Sequence, residues 1–253
     1  MSAYENIPVA GGDTATPLSL RKRIALVLKH LPEGPVRFLD AGCGAGEYVR
    51  VLNVQDRVDA EGIEYLAEKV AEAKADAEIA DRVQQGDLQA LPFPDAHFDV
   101  ALLNEVLEHV PDERQGLREL HRVLKPGGRL IIFSPNRCFP FETHGVHTKS
   151  GKSVPPYAPL IPWIPLALGQ RYFDYWARNY WPHELQQMVK REGFEVLATD
   201  FIWQTFENIS GHQPALIRMC KPVLRIIAGL LEKTPGLKRF GVSQVLVLVR
   251  KPD

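Results

Sequence analysis

Cysteine is scarce in this chain of 253 residues: there are three, Cys43, Cys138 and Cys220. The number is odd, the spacings are wide, and no C-x-x-C pair or Cys/His cluster accompanies them. A disulfide framework and a zinc site of the usual spacing are therefore excluded as organising features. Reduced thiols of this kind suit the cytoplasm. No run of about 18 uncharged apolar residues occurs, which argues against a spanning helix. The first 17 residues carry no basic patch leading into an apolar run, so no signal peptide is expected. Charge of one sign is lacking too: 30 Lys and Arg stand against 31 Asp and Glu, a net charge of −1. That removes any global field drawing the protein to nucleic acid. No Lys/Arg cluster interleaved with aromatics is there to track a phosphate backbone.

What is present is an ordinary globular composition, 45% hydrophobic and 24% charged. A chain of this length can bury roughly three quarters of its unfolded surface, so it needs no metal or crosslink to fold. After a loose leader (1–17), Leu20, Ile24, Val27, Leu28 and Leu31 recur at helical spacing, predicting a helix over 18–31. Then strands and helices alternate. Strands are expected at 36–42, 58–64, 81–87, 98–106 and 129–135, and helices at 46–53, 65–77 and 112–125. The rhythm predicts a doubly wound, mostly parallel sheet with helices on both faces. Ligands in such sheets bind beyond the carboxyl ends of the strands. The rhythm fails after 136. Residues 137–181 and 203–241 read as two insertions, and between them lie a helix (183–193) and a strand (194–202). A last strand at 242–251 completes a single domain.

The informative stretch is FLDAGCGAGEY. It sets Asp40, Gly42, Gly44 and Gly46 at the junction of the first strand and its helix, where glycine lets backbone turn sharply and approach a ligand. A dinucleotide-binding loop would read G-x-G-x-x-G, but the last position is Glu47, whose carboxylate would repel a pyrophosphate. Alternating glycines with an acid two residues before the first suit a ligand with a cationic amino group and no phosphate. Glu64, at the end of the second strand, is placed as acids that accept a ribose diol are placed.

The loop resembles motif I of class I S-adenosylmethionine-dependent methyltransferases, the (D/E)-x-G-x-G-x-G loop. Two more segments follow in family order: GDLQALPFPDAHFDVAL (86–102), and LLNEVLEHV leading to LHRVLKPGGRLIIFSPN. The resemblance covers about 36–136 and is nearest to the small-molecule branch that includes ubiquinone-biosynthesis O-methyltransferases. It implies a Rossmann-like α/β fold of seven strands, the last antiparallel, with two lid insertions, and S-adenosylmethionine as cofactor. By that resemblance Gly42, Cys43, Gly44 and Gly46 line the methionine part and Asp40 anchors its amino group. Asp87 contacts the adenine amino group, Leu88 packs on the ring, and Asn104 lies beside the methionine end. The acceptor implied is a small or lipid-like metabolite, methylated on oxygen, nitrogen or carbon, with oxygen slightly favoured.

Methyl transfer from a sulfonium needs an acceptor atom held about 3 Å from the methyl carbon, and a hydroxyl or acidic carbon benefits from a base. His109, Glu105 and His144 are the candidates. Glu142, His144 and His147 cluster in FPFETHGVH and can line an acceptor pocket; no metal is expected there. YFDYWARNYW (172–181) holds six aromatics, Tyr180 among them, that can wall a pocket or pack as core. Residues 216–231 place apolar side chains on one helical face, with Arg218, Lys221 and Arg225 opposite. A lid helix is the preferred reading and peripheral contact with an anionic membrane the other, with Pro222 expected to weaken the register. A non-catalytic S-adenosylmethionine-binding module and a nicotinamide oxidoreductase remain alternatives.

Overall fold

Asp40, Glu64 and Asn104 each occur at the carboxyl end of a strand, and the sheet brings those ends into register. The computed structural model of the chain describes residues 17–154, 158–206 and 215–251, with the side chains of 215–218 left out. Most of the expected leader, residues 1–16, lies outside the described residues, as do 155–157 and 207–214. The seven-stranded sheet is built from β1 (Val36–Ala41), β2 (Val58–Glu64), β3 (Val83–Gln85), β4 (Phe98–Asn104), β5 (Leu124–Pro135), β8 (Phe194–Ile202) and β9 (Ser243–Arg250). Its order is β3-β2-β1-β4-β5-β9-β8. The pairings β1–β2, β1–β4, β2–β3 and β4–β5 are parallel, and Asp40 sits opposite Gly62 and Leu102. β9 runs the other way: Asn136 N–H donates to Val242 O at one end, while the Arg250 guanidinium bonds Leu124 O at the other. This is the expected Rossmann-like arrangement with an antiparallel last strand.

The helices are α1 (Leu18–Lys29), α2 (Glu47–Asn53), α3 (Ala67–Lys74), α4 (Glu113–Val123), α5 (Leu166–Gly169), α6 (Pro182–Arg191) and α7 (Ala215–Lys233), with a small hairpin of β6 (Val146–Thr148) and β7 (Phe173–Tyr175). α4 shows why these segments fold as they do. Asp112 caps it by accepting the Gln115 amide, and Leu117, Leu120 and Val123 recur at i, i+3, i+6 and are all fully buried.

By contact density the chain divides into one unit of residues 1–133, 186–199 and 246–253 and a second of 134–185 and 200–245. The first contains β1 to β4 and the loops that follow them. The second contains the β6–β7 hairpin, α5 and α7; its core includes Phe139, Val146 and the fully buried Tyr180.

Three elements differ from expectation for identifiable reasons. α3 starts at residue 67 rather than 65, because Glu64 Oε1 accepts the Leu66 amide at 2.9 Å and holds 65–66 in a turn. β4 stops at Asn104 rather than 106, because Glu105 turns to φ 55°. β5 starts at Leu124 rather than 129. Its pairing jumps from Phe98–Leu124 to Val100–Arg129, so the Lys125–Gly128 segment bulges within a longer strand, with Gly127 at φ 77°. In the second unit, α7 continues through Pro222.

Candidate functional site

The first unit holds a cavity of about 530 Å³ at the carboxyl ends of β1, β2 and β4, within the size range of small-molecule sites. Gly42, Ile63 and Glu64 line it from the ends of β1 and β2. Gly86 to Gln89 contribute the next wall, and Asn104 to Val106 with His109 to Pro111 the opposite one.

The loop after β1 is built around the Glu64 carboxylate. Oε2 accepts the Gly44 amide at 2.9 Å, and Oε1 accepts the Leu66 amide. Glu64 is 8% exposed, and each oxygen keeps a further lone pair. Gly42, at φ 91°, has no space for a side chain: a Cβ there would lie 2.4 Å from Val106 Cγ2. Gly46, at φ 81°, is the N-cap of α2. Cys43 is buried, and its Sγ would lie 2.6 Å from a Cβ at Gly62, so the thiol packs against β2.

Asp40 stands out electrostatically. It is 1% exposed, and neither carboxylate oxygen has a hydrogen-bond partner among the described residues. Burial, with the charges of Glu64 and Glu47, pushes its pKa up to about 8. A buried carboxyl without a donor is costly, and a cationic ligand group is what would relieve it. Tyr48, one residue into α2, buries its hydroxyl likewise without a partner among the described residues.

The opposite wall is tied to the N-terminal helix. Arg23 of α1 donates from Nη1 to Asn104 Oδ1 at 2.6 Å and from Nη2 to Glu105 Oε1 at 2.7 Å, and it lies over the Phe133 ring. Burial works against its charge, and Glu105, Tyr48 and Glu108 together more than offset that, leaving its pKa raised. Glu108, buried on the turn that follows, is held well above the usual carboxylate range by burial and by Glu105. His109 lies exposed at the cavity wall. Asp87 accepts the Gln89 amide at 2.8 Å, and Leu88 is buried beside it.

Of the residues singled out from sequence, Gly42, Glu64, Asp87, Leu88, Asn104, Glu105 and His109 line the cavity together. Asp40, near the end of β1, and Cys43, Gly44 and Gly46 of the loop after it are not among its lining. The others lie in the second unit. Glu142 is 3% exposed; it accepts the amides of Thr143 and His144 and the Asn179 side chain, tying its own loop. His144 is half-buried against the Thr143 hydroxyl. His147 stacks on Trp176. Tyr180 has no exposed surface, and the Arg178 guanidinium covers its ring. Sequence reasoning missed Arg23, Tyr65, Leu66, Gln89 and Val106. Tyr65 and Leu66 had a signal: they follow Glu64 directly and are 67% and 46% exposed at the cavity.

The family described as "Methyltransferase domain" matches residues 39–132, the stretch that carries the cavity. Over that stretch the chain is similar to methyltransferase domains. The 27-O-demethylrifamycin SV methyltransferase of Amycolatopsis mediterranei is 41% identical over 102 residues, 38% of this chain and 37% of that protein. A demethylmenaquinone methyltransferase of Lactiplantibacillus plantarum is 29% identical over 68% of this chain and 70% of its own length. A 2-phytyl-1,4-naphtoquinone methyltransferase of Synechococcus elongatus is 33% identical over 62% and 61% respectively. The rifamycin match thus spans well under half of that protein. Among solved structures, an S-adenosylmethionine-dependent methyltransferase from Mesorhizobium loti superposes with TM-score 0.55 at 19% identity, covering 89% of this chain and 96% of that one. The 4+2 cyclase SpnF superposes with TM-score 0.60 at 22% identity, covering 97% and 86%. A cyclase on the same fold shows that the fold alone does not set the reaction.

The cofactor of this family is S-adenosylmethionine, and the residues present fit it. Asp40 offers an unpaired buried carboxyl to an ammonium, and Glu64 keeps lone pairs for hydroxyls.

Proposed function

We propose that this protein transfers a methyl group from S-adenosylmethionine to a small, lipid-like acceptor of the quinol or phenol class, on oxygen in preference to carbon or nitrogen. The observation that carries the reading is the donorless Asp40 carboxyl beside a cavity lined by Glu64. An acid and an amine are thereby matched where a dinucleotide phosphate would meet Glu47, an exposed acid at the α2 N-terminus. The nicotinamide alternative is disfavoured on that ground. The acceptor class is supported by the names of the relatives, which act on demethylmenaquinone, a phytyl naphthoquinone, a tocopherol and a rifamycin.

In this reading Asp40 and the Gly42–Gly46 loop, Cys43 included, hold the methionine end, with Asn104 beside it. Glu64 takes the ribose; Asp87 and Leu88 take the adenine. The bound cofactor supplies an electrophilic methyl carbon on a sulfonium. What the chain supplies is alignment and a proton acceptor. Glu105 is pinned by Arg23 and serves to fix the wall, which leaves His109, exposed at the cavity wall, as the proposed acceptor of a hydroxyl proton. His144 is proposed as a second acceptor-side base, with Glu142 and Tyr180 shaping its surroundings. The protein would work in the cytoplasm without nucleic acid as partner, as one catalytic domain with its two insertions.

The test is S-adenosylhomocysteine formation against a panel of reduced naphthoquinones, chromanols and catechols. Turnover with any of these, reduced at least about tenfold by His109→Ala, supports the assignment. Cofactor binding with no product from the panel or from a metabolite extract would favour the non-catalytic binding module.

A further inference from the structure

Large apolar side chains are unevenly displayed. Among the described residues, all but four of those standing exposed (Val54, Tyr65, Leu66 and Leu197) belong to the second unit. Five of them lie on α7: Met219 is 78% exposed, Ile226 65%, Leu230 62%, Val223 58% and Ile227 45%. Their spacing of i, i+4, i+7, i+8 and i+11 puts them on one face. The apolar arc of this helix is wider than its packing needs. Ala228 is buried and Leu224 and Leu231 are half-buried on the inward side, and the remainder of the arc faces out.

The charge around that face has one sign. From 215 to 241 the chain carries Arg218, Lys221, Arg225, Lys233, Lys238 and Arg239 against a single acid, Glu232. Arg225, Lys233 and Arg239 are exposed, and Lys238 is half-buried beside Asp200. The rest of the chain is correspondingly acidic, since the whole carries a net −1. An apolar helical face on a segment rich in basic residues, in a protein without global positive charge, fits an anionic lipid surface better than another protein's apolar patch. No described helix is long and apolar enough to cross a membrane, so such a helix lies on the bilayer rather than through it.

We propose that α7 is an interfacial helix that seats the second unit on an anionic membrane through Met219, Val223, Ile226, Ile227 and Leu230. This replaces the lid reading of the segment, which requires the same face to be covered. It does not depend on the methyltransferase assignment, although a lipid-like acceptor would give it a purpose.

The experiment is co-sedimentation of the full chain with vesicles of phosphatidylcholine alone or with about a third phosphatidylglycerol, at about 50 mM and about 500 mM salt. The expected result is binding to the anionic vesicles at low salt, falling about tenfold at high salt, and little binding to phosphatidylcholine alone. The double variant Ile226→Glu/Leu230→Glu should lose about tenfold or more of that binding while keeping the wild-type melting temperature and affinity for S-adenosylhomocysteine. Wild-type protein left in the supernatant at low salt overturns the proposal, and so does equal binding by the double variant. So does a wild-type dimer that the double variant dissociates, since the face would then belong to a second copy. A failure of the cofactor assignment would appear separately, as lost affinity for S-adenosylhomocysteine with vesicle binding intact.

Discussion

Arg23 Nη2 lies 2.7 Å from Glu105 Oε1, joining the first helix to the residue at which β4 turns away from the sheet. The same guanidinium holds Asn104, and Glu108 is buried nearby, so one cation steadies a wall that carries two acids. Removing the arginine alone takes the guanidinium away from the Glu105 carboxylate. Arg23→Met should therefore cost about 3–5 kcal/mol of stability, whereas Arg23→Met combined with Glu105→Gln should cost about 1 kcal/mol. Urea unfolding of the two singles and the double measures the coupling. Additive losses would show that the pair does not act as a unit.

The Asp40 carboxyl, with a pKa of about 8 in the folded chain, keeps its proton where the unfolded chain, at about 3.9, has lost it. The native state then binds more protons than the unfolded state between those values, so stability falls as pH rises from about 4 to about 8. Asp40→Asn should remove that slope and stabilise the cofactor-free protein at pH 7 by something on the order of 3 kcal/mol. Thermal melts across pH check both the sign and the size.

The same carboxyl predicts proton release on binding. An ammonium placed against Asp40 favours the ionised form, so S-adenosylhomocysteine binding near pH 7 should release approaching one proton. Calorimetry in buffers of different protonation enthalpy reads this directly. Asp40→Asn should abolish the release and weaken binding by about tenfold to a hundredfold.

Gly42 and Gly44 make a contrasting pair. Both have positive φ, but a Cβ at Gly42 meets Val106 at 2.4 Å while one at Gly44 meets nothing within 4 Å. Gly44→Ala should cost about 1–2 kcal/mol, the strain of left-handed backbone alone. Gly42→Ala should cost more and displace Val106 at the cavity wall, with Val106→Ala recovering part of the loss. Equal melting temperatures for the two single variants would show that the Val106 contact carries no weight.

Legibility followed the range of each interaction. The loop from Asp40 to Glu47 and the acid at Glu64 could be read because glycine spacing and strand ends are local properties. The parallel direction of the strands followed from the alternation of elements, while their order came only with the structure. Arg23 was unread because its partners are 81 and 82 residues away. A faint signal existed: it stands four residues before Val27, on the stripe that α1 buries. The bulge at Lys125–Gly128 was hidden because LKPGG reads as a helix stop, and only the partner strand reveals that pairing has already begun at Leu124. For α7 the periodicity marked an amphipathic helix, but an apolar arc this wide does not say which part packs. For Glu142 and Tyr180, a loop tie or a buried ring has the same composition as a pocket wall, so composition alone does not separate the two roles.

The most direct test is calorimetric titration of the purified chain with S-adenosylhomocysteine, alongside a reduced nicotinamide dinucleotide. The account predicts one site for S-adenosylhomocysteine, with affinity weakened at least about tenfold by Glu64→Ala, and no heat from the dinucleotide. Absence of binding, or binding untouched by Glu64→Ala and Asp40→Asn, would contradict it.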